Sequence, residues 1–189
     1  EEFQEHGGFL HETVYQELLH VPLILHVPAR VPGRPEPARV KGTVRLIDVL
    51  PTLLELLDLP LPEHVQGRSL LDVARGKDPV ERSVFSTWPR QRMYALRRGR
   101  YKLVERPAWK EKRGEARFEL YDLTADPAER VDLLLDPTPE HERVRAELAD
   151  ELERIRTASA RFQAALDAGV EVELDESERA ELRALGYLK

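Results

Sequence analysis

The residues with most chemistry to offer are six histidines. A neutral imidazole binds metals, and near neutral pH the ring moves protons. A helical zinc pair needs histidines four apart and a carboxylate to complete the set. His6 and His11 are five apart, His20 and His26 six apart, and no nearby carboxylate completes a triad. His64 falls in a turn and His141 in the first turn of a helix. Gly7-Gly8 is no phosphate loop, because no Gly-Lys-Ser/Thr follows. Ser69, in Gln66-Gly-Arg-Ser, lacks the following glycine of a nucleophile elbow. The chain has no cysteine, which excludes disulfides and thiolate metal sites. Residue types alone therefore complete no active site.

The elements that would position the histidines follow from pattern. Residues 1–10 read as a loop, and Glu12–His20 as a short helix with Val14, Leu18 and Leu19 on one face. Val21–Pro28 is a continuous apolar run bounded by prolines, the pattern of a strand buried on both faces of a parallel sheet. Arg39–Val44 is a short extended segment. The most apolar stretch is Leu46–Pro62. There Val49, Leu50, Leu53, Leu54 and Leu57 recur at helical spacing, Asp48 can cap, Pro51 suits the first turn, and Pro60 and Pro62 stop the helix. Such a helix is expected to be buried. His64–Gly67 is a turn, and Ser69–Ala74 a short helix capped by Ser69.

The character then changes. Ser83–Trp88, Met93–Arg97, Tyr101–Glu105 and Arg117–Leu123 are short runs rich in Val, Phe, Tyr and Leu, with Arg98-Gly99 marking a hairpin. They predict a small antiparallel sheet, with Pro107–Glu115 as a charged excursion. Thr138-Pro139 opens the longest helix, whose stripe of Val144, Leu148, Leu152, Ile155, Phe162 and Leu166 should lie on that sheet. Asp175–Glu178 resembles a capping box before a last helix that ends at Gly186.

Of the 189 residues, 34% are charged and 41% hydrophobic, as in a globular protein. The net charge of −6, with both signs mixed, argues against a general nucleic-acid binder. No window is long and apolar enough to span a membrane. The chain begins mid-phrase, with neither initiator Met nor signal peptide, and its single buried strand needs parallel neighbours that it does not supply. A larger N-terminal part is expected.

Four phrases, in order, resemble the sulfatase branch of the alkaline phosphatase superfamily. They are Glu5–Glu17 with Val21–Leu25, Leu46–Leu56 through Val65–Leu70, Arg92–Val104, and Glu119–Leu133. The resemblance spans about residues 5 to 133. It implies a mixed α/β fold: the end of an alkaline-phosphatase-like parallel sheet layer in residues 1–80, then a C-terminal subdomain in 81–189 with an antiparallel sheet and a long helix. It implies part of a sulfuric ester hydrolase, with a phosphonate or phosphodiester hydrolase of the same superfamily, or a non-catalytic module keeping the fold, as alternatives. The family's formylglycine nucleophile and its divalent cation, usually calcium, would lie upstream, since this chain has neither the Cys/Ser-x-Pro-x-Arg motif nor the Asp-His/Asn pair. Alone, the chain is expected to be inactive. The family's substrate-contacting lysine falls at His11, which could contact the sulfate or donate a proton; His6 is the second candidate. A sulfated small molecule or glycan is the implied partner, and a periplasmic or secreted location is suggested.

Overall fold

The computed structural model describes residues 2–62, 65–77, 82–106 and 117–167. His64, the proposed boundary near residue 80, the 107–115 excursion and the final helix fall wholly or partly outside the described residues. So do the side chains of Phe162 and Leu166. Two compact units are present, Glu1–Leu152 and Glu153–Lys189.

The first unit opens with a hairpin of two-residue strands, β1 (Glu2–Phe3) and β2 (Phe9–Leu10), where a loop was expected. Its turn uses a left-handed Gly7 at φ +80°. A single helical turn follows, α1 (Gln16–Leu19). The Val21–Pro28 run is not a strand. It is unpaired, with Val21, Leu23, Ile24 and Leu25 exposed, Ile24 by 89%. The reason is physical: an isolated strand has no ladder for its N–H and C=O groups, and Arg39–Val44 does not pair with it.

A 3-10 turn at Leu46–Asp48 leads into α2 (Val49–Leu56). The expected burial of its apolar stripe is overturned. Leu46, Ile47, Leu50, Leu53 and Leu57 are exposed, while Asp48, Pro51 and Thr52 are buried. Polar bonds hold that buried side. Asp48 accepts from the Arg45 and Arg68 backbone N–H groups at 3.2 and 2.9 Å, and Thr52 Oγ1 accepts from Leu70 N–H at 2.9 Å. Gly67 permits the approach, since a Cβ there would sit 1.8 Å from the Ile47 carbonyl oxygen. The expected short helix is α3 (Leu71–Ala74), with Ser69 Oγ accepting the Leu71 N–H at 3.2 Å.

The four predicted strands are present as β3 (Val84–Trp88), β4 (Met93–Arg98), β5 (Tyr101–Arg106) and β6 (Arg117–Asp122), antiparallel and in sequence order. The β4–β5 turn is Gly99-Arg100, with Gly99 at φ +57°. One face carries Leu96, Leu103 and Leu120, none measurably exposed. The long helix α4 (Pro139–Asp167) starts on that face. Arg98 pairs with Glu147 and Glu151, and Tyr101 donates to Glu140. Val144, Leu148 and Leu152 are accordingly buried, each contributing about 1.5–3 kcal/mol. Thr138 Oγ1 caps the His141 N–H at 3.2 Å and His141 Nδ1 returns the bond at 3.3 Å, a capping box with histidine in the usual acid's place. From Glu153 the helix continues as the second unit.

Candidate functional site

The opposite face of the sheet is where the chemistry collects. Register puts Met93 and Ala95 of β4, Lys102 and Val104 of β5, and Glu119 and Tyr121 of β6 on it. Val14, Tyr15 and Leu19 cover it. The connecting segment 123–135 turns back along β6, where the Leu133 N–H donates to the Leu120 carbonyl, and is fixed there by Asp132. That carboxylate accepts the Leu120 and Leu134 N–H groups at 3.1 and 3.0 Å and pairs with Arg117.

This loop delivers Glu129, in the left-handed region at φ +54°, against Lys102. Both are essentially inaccessible, and Lys102 Nζ lies 2.6 Å from Glu129 Oε1. Lys102 also donates to the Val14 carbonyl at 2.7 Å, and the Gln16 N–H donates to Glu129 Oε2 at 2.6 Å. Burial lowers the lysine's pKa and raises the glutamate's, while the charge of each partner acts against the shift. A second buried carboxylate, Glu119, accepts from Tyr15 at 2.6 Å and Tyr121 at 3.0 Å and pairs with Arg106 at 3.3 Å. Burial, with Glu119 alongside, pushes both phenols well above their ordinary range.

His6 joins the two halves of this network. Its Nδ1 lies 2.7 Å from Glu17 Oε1 and its Nε2 3.0 Å from the Glu129 carbonyl, with the ring stacked 3.7 Å over Tyr15. A carboxylate and a carbonyl are both acceptors, so the surroundings favour the doubly protonated ring. Burial alone would depress its pKa, but the Glu129 carbonyl and Glu17 outweigh that and the net shift is upward. Both its nitrogens are thus engaged within the chain. His11 stands elsewhere. It is exposed, and its ring meets Trp88 edge to face at 6.0 Å. The structure does not bring His6 and His11 into one cluster of contacts. His20 lines a shallow cavity of about 350 Å³ with Glu5, Glu17 and Arg130, which does not include His11.

Glu2, His6 and Glu17 bring three potential ligand atoms within 4.8 Å of one another. They do not fit a hard divalent cation. Glu2 already accepts from Gly8 N–H and the Thr13 hydroxyl, both at 3.2 Å, and His6 presents a proton to Glu17. Calcium takes six to eight oxygen ligands. The trio is a hydrogen-bonded knot that fastens the N-terminal hairpin.

Sequence reasoning passed over Lys102, Glu119 and Glu129. The available signal was Lys102, a charge at mid-strand in Tyr101-Lys-Leu-Val104, between residues that read as core.

A family model described as N-sulphoglucosamine sulphohydrolase, C-terminal, matches residues 4–158. The chain is 33% identical over 134 residues to a Delta 4,5-hexuronate-2-O-sulfatase of Bacteroides thetaiotaomicron, covering 67% of this chain and 27% of that protein. It is 34% identical over 70 residues to human arylsulfatase K, covering 37% and 12%. Among solved structures, a putative sulfatase from Bacteroides thetaiotaomicron aligns at 28% identity over 70% of this chain and 28% of that one, with a TM-score of 0.47. The chain belongs to the sulfatase family and corresponds to its C-terminal portion. It spans about a quarter or less of the length of these curated relatives.

Proposed function

We propose that the chain is the C-terminal part of a sulfuric ester hydrolase acting on a sulfated sugar, and that His11 faces the substrate. The family match over residues 4–158 carries the proposal. The geometry supports it: the buried ionic network anchors the 2–19 segment on the sheet, and His11 projects from that segment with its ring against Trp88. An imidazole so placed can donate to a sulfate oxygen or to the leaving alkoxide. Formylglycine and a divalent cation supply the nucleophile and charge neutralisation in such chemistry. On this reading these groups are held by an upstream part of the protein, as the family resemblance implies. The exposed apolar surface of Val21–Leu25 and Leu46–Leu61 is the face that packs onto that remainder.

The test is sulfate release by the full-length gene product from sulfated monosaccharides, beside His11→Ala. The expected result is turnover that falls about 10²-fold or more in the variant, the usual range for a lost acid–base group. Absence of sulfate release, or an unaffected variant, refutes the proposal in whole or for His11.

A further inference from the structure

The turn joining β3 to β4 carries two arginines that no carboxylate among the described residues neutralises. Four arginines around the sheet have carboxylate partners, Arg98 with Glu147 and Glu151, Arg100 with Asp122, Arg106 with Glu119, and Arg117 with Asp132, while Arg97 donates to the Gly99 carbonyl. Arg90 and Arg92 are different. Both are exposed, and neither guanidinium meets an acceptor among the described residues. Pro89–Gln91 form one 3-10 turn, and Arg92 adopts φ +54°, a conformation long side chains seldom take. Met93 pairs with Trp88 across the hairpin, so Arg92 is one residue from the position facing the indole.

That indole is the second feature. Trp88 packs partly on the core cluster, and its ring meets the edge of His11. Its Nε1–H is buried without an acceptor, a state that costs about 1–3 kcal/mol and is uncommon in a folded chain. One end of the sheet therefore carries an indole ring, an imidazole, a buried N–H donor without an acceptor and two guanidiniums that meet no acceptor among the described residues. Guanidiniums hold sulfate and carboxylate oxygens in bidentate pairs, and an aromatic wall packs against the apolar part of a ligand.

We infer that residues 88–92 form an accessory anion subsite, which takes a sulfate or carboxylate on the sugar next to the one presented at His11. The chain then selects multiply anionic oligosaccharides over sulfated monosaccharides. The ligand class rests on the sulfatase function proposed above; the subsite rests on the turn.

The test is titration of the isotope-labelled 189-residue chain with a heparin-derived tetrasaccharide and its desulfated counterpart, followed at the Trp88 indole N–H resonance, assigned with Trp88→Phe. The turn is neutralised with Arg90→Gln and Arg92→Asn, since asparagine tolerates the left-handed conformation. Arg30→Gln with Arg39→Gln removes equal charge from an exposed loop. The sulfated tetrasaccharide is expected to shift the indole resonance, the turn variant to bind about tenfold or more weakly, as loss of charge-assisted bonds implies, and the loop variant to bind like wild type. No indole shift, equal binding of the desulfated sugar, or equal weakening by the loop variant overturns the subsite. The two proposals fail separately. Sulfate release by the full-length product without tetrasaccharide binding at the turn removes only the subsite. Binding at the turn without sulfate release removes only the enzyme.

Discussion

Replacing Lys102 with methionine keeps most of the side chain's apolar volume and removes only its charge. Glu129 would then be buried without its direct ion-pair partner, still accepting from Gln16. Breaking a buried pair from one side costs about 3–5 kcal/mol. At about 2–4 °C per kcal/mol for a chain of this size, K102M should lower Tm by roughly 6–20 °C. The double substitution K102M/E129Q is the sharper experiment. Glutamine removes the stranded charge and retains an oxygen for the Gln16 N–H. The double variant should therefore be more stable than K102M alone by about 1 kcal/mol or more, a coupling that independent sites do not show. Denaturant melts of the four proteins measure it. A K102M cost under about 1 kcal/mol, or strictly additive changes, would refute a charged, mutually dependent pair.

Three further outcomes follow from the same geometry. Acceptors at both ring nitrogens raise the pKa of His6, so its stabilisation is full below about pH 6.5, the unfolded value, and is lost as pH rises through the folded one. Wild type should lose Tm over that rise while His6→Gln stays flatter; parallel profiles would contradict this. Gly67→Ala drives a Cβ into the Ile47 carbonyl and displaces the Arg68 N–H from Asp48; a loss of about 1–3 kcal/mol or more is expected by denaturant melt. Finally, the chain by itself should bind a hydrophobic dye through Ile24, Leu46 and Leu57, which are 89%, 72% and 66% exposed. Serine at Ile24 and Leu46 should reduce dye binding with little change in Tm, and a dye-silent wild type would count against an open apolar face.

Much of the C-terminal architecture was legible because it is written in local signals. Alternating strands, the left-handed Gly99 and the Thr138-Pro139 start each act over a few residues, and the structure places β3–β6 and α4 where those signals do. The N-terminal half was less legible. Periodicity showed which side of α2 is apolar and not what lies against it, and the side that packs is held by Asp48 and Thr52. Val21–Pro28 has the composition of a buried strand, yet composition cannot supply a pairing neighbour. The polar network was invisible for a related reason. Tyr15 meets Glu119 across 104 positions and Gln16 meets Glu129 across 113, whereas motif spacing tests only near neighbours. His11 was named by resemblance, and its contact with Trp88 emerged only from the fold.

The central claim is that this chain is the tail of an active sulfatase. The most direct measurement is the coding sequence upstream of Glu1. An in-frame continuation through Asp-His-Gly or Asp-Asn-Gly back to Cys/Ser-x-Pro-x-Arg is the predicted result. A start codon close to Glu1, or an upstream region without the nucleophile motif, would contradict it and leave a non-catalytic module that keeps the fold.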